Sequence, residues 1–210
     1  MSGLGIVYVV DDDHVVRTSL AMLIETVGVE VRSYGSSREF LEDPRRDECD
    51  CLVLDLRMPG MSGLELQSRL GTSFTAPIIF VSGHADVPTA VQAMRDGAVD
   101  FLQKPFSDQA LLDRIALALE RSRLRRMEAE RQGTLRARMA LLTPRETEVM
   151  RLVVVGRMSK LIADELQISV KTVEDHRAAI MKKMRAGSVA ELVGLVGEAD
   201  AFEGHPPTPG

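Results

Sequence analysis

Asp11, Asp12 and Asp13 stand side by side directly after the apolar run "GIVYVV", and Asp55 lies in a second apolar run, "CLVLDL". Ser82 ends a third, "PIIFVS", and Lys104 follows a fourth, "AVDFLQ". Carboxylates held together raise one another's pKa unless a cation sits among them. Mg²⁺ suits such oxygens: it takes six oxygen ligands at ~2.0–2.1 Å and keeps water or phosphate oxygens in part of its shell. A lysine ammonium and a serine hydroxyl beside these acids complete a site for a phosphoryl group. Asp55, held between cations, is placed to attack phosphorus as a carboxylate nucleophile. The metal and Lys104 would offset charge on the equatorial oxygens while Ser82 donates a hydrogen bond. The turn-rich "RMPGMSG" after Asp55 offers a backbone carbonyl as a further metal ligand. Asp13 reads instead as a helix N-cap or surface charge.

These groups share a pocket only if the chain brings the ends of its apolar runs together. Five such runs recur at even intervals, "VEVRSY" being the one not yet named, and three are near-continuous hydrophobics of the kind found in parallel strands covered on both faces. Stretches of helical period lie between them: Val16, Leu20, Leu23, Ile24 and Val27 share one face, as do Val87, Val91 and Met94. The alternation predicts an α/β fold, a flavodoxin-like, doubly wound parallel sheet of five strands. Ligands of such sheets bind outside the carboxyl ends of the strands, where Asp11, Asp12, Asp55 and Ser82 fall. A further helix starts near Ser107, loses its apolar positions after Leu124, and is expected to stop or bend at Gly133.

From residue 139 the pattern changes to short helices. "LTPRE" offers Thr143 as N-cap, Pro144 at the first helical position and Glu146 to complete a capping box. Val149, Leu152 and Val153 continue that helix to Gly156. Ser159 and Ser169 read as caps of two more helices, and a last one spans about Val189 to Val196. Four helices with tight turns make a small all-α module. The boundaries expected are 1–122 for the sheet domain, 123–138 for a helical linker, 139–198 for the helical module and 199–210 for a disordered tail.

Residues 1–123 carry 12 basic and 19 acidic side chains, a net of −7, whereas 124–139 carry +3 and 140–197 carry +2. Acid in the first part attracts cations; base in the second suits phosphate. No apolar stretch is long enough to span a bilayer and the first residues lack a signal peptide, so a cytoplasmic protein is expected. Cys49 and Cys51, one residue apart, are expected on one face of a strand as packing residues rather than ligands.

"VVDDDHVVR", "LVLDLRMPGMSGLEL", "IIFVSGHAD" and "AVDFLQKPF" together resemble the receiver domain of two-component response regulators. The resemblance implies Asp55 as phosphoacceptor from a sensor histidine kinase, with Mg²⁺ bound by Asp11, Asp12, Asp55 and the Arg57 carbonyl. It assigns Ser82 and Phe101 as the switch pair and Lys104 as the phosphate-binding lysine, with Pro105 in an often cis peptide. Arg57 and His84 fall where the family tunes phosphoryl lifetime; an ordinary loop contact is the alternative.

"LTPRETEVMRLVVVGRMSKLIADELQISVKTVEDHRAAIMKKM" resembles the LuxR-type helix-turn-helix, making the whole chain similar to the NarL/FixJ group. In such motifs one helix lies in the major groove. Lys171, Thr172, Asp175, His176 and Arg177 stand near its exposed N-terminal part, with Lys182 and Lys183 placed for the DNA backbone. Val173, Ile180 and Met184 are expected in the core. Glu174 and Asp175 read as helix-terminus electrostatics, or as acceptors for cytosine. The implied function is a transcription regulator, an activator by resemblance, that dimerises when phosphorylated, binds double-stranded promoter DNA and meets RNA polymerase. A Mg²⁺-dependent phosphohydrolase resembling the haloacid dehalogenases is the rival. It would place its nucleophile after the first strand in a DxD pattern and carry a substrate cap; here the third-strand acid is the better nucleophile, no cap insertion is evident and a DNA-binding module follows, so no enzymatic activity beyond the aspartate's own phosphorylation and dephosphorylation is expected. A helical module that binds protein rather than DNA is the third reading.

Overall fold

A computed structural model describes residues 5–83 and 87–202. The chain divides into two compact units, residues 1–126 and 127–210. In the first, elements alternate as β1 (Ile6–Val10), α1 (His14–Glu25), β2 (Glu30–Tyr34), α2 (Ser37–Glu42), β3 (Cys51–Asp55), α3 (Gly63–Leu70), β4 (Ile78–Ser82), α4 (Val87–Arg95) and β5 (Asp100–Gln103). The helix α5 (Asp108–Met139) begins in this unit. All strand pairs are parallel, in the order β2-β1-β3-β4-β5. This is the five-stranded doubly wound sheet expected from the alternating pattern.

Both faces of the sheet are buried, which explains the unbroken apolar strands. Tyr8, Val10, Leu52, Leu54 and Phe80 point to one side, where Phe40, Leu66 and Ala93 pack. Val7, Val9, Cys51, Val53, Ile79 and Val81 point to the other, against Leu20 and Ile24 of α1 and Leu111 and Ile115 of α5. Cys49 packs with the first cluster and Cys51 with the second, so they do not share a face. The chain alternates sides only within a strand, and Cys49 lies ahead of β3, after a single 3-10 turn. On α4 the shared apolar face looks outward: Val87, Val91 and Met94 are exposed, and Ala93 is the residue buried on the sheet. Periodicity groups side chains by face without saying which face meets the core.

The register aligns the carboxyl ends of the strands. Val10 lies opposite Leu54 and Asp55 opposite Val81, so Asp11 and Asp55 emerge side by side. The first turn of α3 closes in behind them. A Cβ on Gly63 would fall 2.3 Å from the Asp55 carbonyl oxygen and 2.9 Å from the Phe80 ring, so only glycine fits there.

The second unit contains α6 (Pro144–Val154), α7 (Ser159–Leu166), α8 (Val170–Met184) and α9 (Val189–Phe202) around Val149, Ile162, Val173, Ile180, Met184 and Leu192. The helix α5 does not stop at Gly133 but continues to Met139. A helical glycine costs about 1 kcal/mol relative to alanine. Against that, Leu135 is buried in this core and Arg138 donates to the Met184 carbonyl at 3.2 Å. Thr143 and Glu146 form the capping box with Pro144 in the first turn, and Ser169 accepts from the Thr172 N–H. Ser159 does not cap α7: Met158 holds that position, without a side-chain bond.

Candidate functional site

Asp11 ends up 2 % exposed and Asp55 7 % exposed, so neither carboxylate is left to solvent. What compensates them is Lys104, whose ammonium donates to Asp11 Oδ2 at 2.8 Å and to Asp55 Oδ1 at 3.2 Å. The Lys104 N–H donates to the Ser82 carbonyl at 2.8 Å, which sets the lysine at the mouth of the sheet; the Lys104–Pro105 peptide is cis. A backbone donor meets the other oxygen of each: Asp13 N to Asp11 Oδ1 at 2.9 Å, and Arg57 N to Asp55 Oδ2 at 2.8 Å.

Burial pushes the Asp55 carboxyl above its ordinary range, and the nearby Asp11 adds to this against the opposing pull of Lys104 and the Arg57 N–H. At Lys104 burial disfavours the ammonium, but the two carboxylates outweigh it and raise its pKa. The site thus holds an over-stabilised ammonium beside an acid that resists ionisation, and added positive charge would favour the carboxylate.

The side chains expected from the sequence distribute unevenly. Asp11, Asp55 and Lys104 converge. Ser82 is buried at the end of the neighbouring strand, and Phe101 is half-buried with its ring stacked on Phe80, centroids 6.4 Å apart. Asp12 is exposed, and Asp13 caps α1 by accepting from Val15 N and Val16 N. His84 lies outside the described residues. Sequence reasoning missed Arg17, whose Nη1 donates to the Asp11 carbonyl at 2.6 Å. It also missed Gly63; the one available signal was a glycine directly after a capping serine close behind an acid.

Hard carboxylate oxygens are the right donors for Mg²⁺, and Mg²⁺ needs only one or two of them beside its waters. Among the described residues no three acidic, histidine or cysteine side chains gather tightly enough to hold an ion by themselves. Asp11, Asp55 and the exposed Asp12 therefore fit a water-rich ion rather than an all-protein cage.

In the second unit, α8 shows Lys171, Glu174, Asp175 and Lys182 to solvent, with Thr172, His176 and Arg177 half-buried. Lys171 lies 3.9 Å from Asp175, and Arg177 3.9 Å from Glu174. Thr172 is engaged with the capping Ser169, their hydroxyl oxygens 2.8 Å apart. Lys183 turns inward, donating to the buried Glu146 at 2.6 and 2.8 Å.

The family model for the response regulator receiver domain matches residues 7–116, more than half of the chain. This protein belongs to the response regulators. The model for bacterial regulatory proteins of the luxR family matches residues 140–196. Nodulation protein W of Bradyrhizobium diazoefficiens is 48% identical over 190 residues, 90% of this chain and 84% of the relative. The transcriptional regulatory protein FixJ of that organism is 42% identical over 93% of this chain and 96% of its own. Among solved structures, the response regulator StyR matches with a TM-score of 0.87 and 46% identity, over 92% of this chain and 98% of that one. Full-length FixJ from B. japonicum matches with a TM-score of 0.55 and 40% identity, over 94% and 98%. A receiver joined to a LuxR-type module makes this response regulator a phosphorylation-dependent transcription regulator rather than a classical enzyme. Its receiver implies a histidine-kinase partner, and its luxR-type domain implies DNA. Among the described residues no helix is long and apolar enough to cross a membrane.

Proposed function

We propose that Asp55 is the phosphoacceptor of this response regulator and that its modification controls dimerisation and promoter binding. The observation that carries this is the single ammonium of Lys104 shared between Asp11 and Asp55 at the carboxyl ends of adjacent strands. An ionised Asp55 oxygen forms the new O–P bond as the N–P bond of the kinase phosphohistidine breaks. The released imidazole keeps the electron pair and takes a proton. Lys104 then exchanges a carboxylate partner for a phosphoryl oxygen. Ser82 reaches the same group through its hydroxyl, which draws Phe101 after it. Asp11, Asp12, Asp55 and the Arg57 carbonyl would hold Mg²⁺, which when bound supplies positive charge to the phosphoryl oxygens.

In the second unit the exposed outer face of α8 enters the major groove, with Lys171 and Lys182 meeting DNA and Thr172, Asp175, His176 and Arg177 close to the base edges. Lys183 serves the domain's own fold instead. As an activator, the DNA-bound dimer would meet RNA polymerase. The decisive experiment is Asp55→Asn. The variant is expected to take up no phosphate from the kinase or from acetyl phosphate, and to lose phosphorylation-dependent dimerisation and promoter retention. Promoter binding that still responds to phosphodonor in this variant would refute the assignment.

A further inference from the structure

The inner face of α3 carries Gly63 and, one turn later, Gln67, which is 5 % exposed. The Gln67 Nε2 donates to the Ala93 carbonyl of α4 at 3.1 Å. Swapping the amide's two ends would set oxygen against oxygen at Ala93, so that carbonyl fixes the amide's orientation.

Ala93 does not need this bond. Its carbonyl also accepts from Ala98 N at 3.0 Å, while Gly97 N donates to the Met94 carbonyl at 3.2 Å and Gly97 sits at φ +99. Those two bonds and the left-handed glycine are a complete Schellman ending for α4. Gln67 therefore adds nothing to the helix terminus; it fixes where that terminus lies. At the other end of the same face, Gly63 N donates to the Leu56 carbonyl at 3.0 Å, and its Cα side lies against the Asp55 backbone and the Phe80 ring. A continuous packed path thus runs from Asp55 through Gly63 and Gln67 to the end of α4.

We propose that Gln67 is a latch: its Nε2 bond to Ala93 holds α4 in its present seat and must break for α4 to leave that seat when Asp55 is modified. This rests on the reading of Asp55 as phosphoacceptor. The coupling is a two-state packing that both the acceptor and the latch bias.

Gln67→Met tests it, because it keeps the volume while deleting the donor. With the bond gone, the present seat should lose roughly fivefold against the alternative, what one net hydrogen bond typically contributes. The measurement is amide exchange over residues 87–99 of the full chain, with and without beryllofluoride and Mg²⁺, alongside phosphate stoichiometry from acetyl phosphate. The expected result is unchanged phosphate uptake with exchange over residues 87–99 roughly fivefold faster than in the wild type before beryllofluoride is added. Gln67→Leu should shift in the same direction and serves if the methionine variant folds poorly. Exchange over residues 87–99 no faster than in the wild type without beryllofluoride, at equal phosphate uptake, would overturn the latch. If the wild type itself takes up no phosphate, the reading of Asp55 has failed, and the inference falls with it.

Discussion

Lys104 is the residue on which the acidic site balances. Two buried carboxylates share its ammonium, and the Asp55 carboxyl is already pushed upward by burial. Lys104→Met would leave Asp11 and Asp55 facing each other without their cation, so a smaller fraction of Asp55 is ionised and no ammonium greets the phosphoryl oxygens. Loss of one such charged donor typically costs about 10²-fold in rate. Phosphate uptake from acetyl phosphate should fall by that order, and uptake within threefold of wild type would contradict the role. Gly63 makes the complementary point by having no side chain. The added methyl of Gly63→Ala meets backbone at Asp55, which cannot swing aside as a flexible side chain would. A destabilisation of about 1–3 kcal/mol is expected from such overpacking, read as a lower urea midpoint, together with slower phosphate uptake because the acceptor's own backbone is displaced.

Among the helices, the start of α6 is held by more than its capping box. Glu146 is 5 % exposed and receives both the Thr143 N–H and the Lys183 ammonium. Lys183 first, and then the Thr143 N–H, hold its pKa below the ordinary 4.5. The folded state therefore binds this proton less tightly than the unfolded chain. The stabilisation is present above 4.5 and is lost as pH falls through the depressed folded value. Unfolding of the second unit followed by helical signal should show this acid-side loss in the wild type and a flatter dependence in Glu146→Gln. An equal slope in both would rule out the pair as its source. The same pair separates two lysines that look alike in the sequence. Lys171→Ala should reduce the salt slope of DNA binding by about 0.9 with little change in stability. Lys183→Ala should destabilise the domain instead, since it strands a buried carboxylate. The five strands and the convergence of Asp11, Asp55 and Lys104 were legible because apolar runs and strand ends are local signals. The inward turn of Lys183 was not, because its partner lies 37 residues away. Nor were the outward apolar face of α4 or the passage of α5 through Gly133, because both are decided by what packs against the helix.

For the molecule as a whole, charge and core divide together. The sheet unit has its own two buried layers, and the helical unit has a separate core around Val149 and Ile162. The first 123 residues carry −7 and residues 140–197 carry +2. A divalent cation held by the acids at the sheet's carboxyl ends stabilises only the unit that binds it, by RT ln(1 + [L]/Kd), or about 2.7 kcal/mol at a hundredfold excess over Kd. Thermal unfolding of the full chain should therefore respond to Mg²⁺ selectively. The transition assigned to the sheet unit should rise by several degrees, and that of the helical unit should stay in place. In Asp11→Asn the shift should shrink towards zero, because one of the two buried carboxylates near the ion has lost its charge. Ca²⁺ provides the control: it prefers more ligands and longer distances, so a site with two buried carboxylates and much water should give a smaller shift at equal concentration. If Mg²⁺ moved both transitions equally, or Asp11→Asn kept the full shift, the stabilisation would come from general screening of the acidic surface, and the carboxylates at the strand ends would not form the metal site.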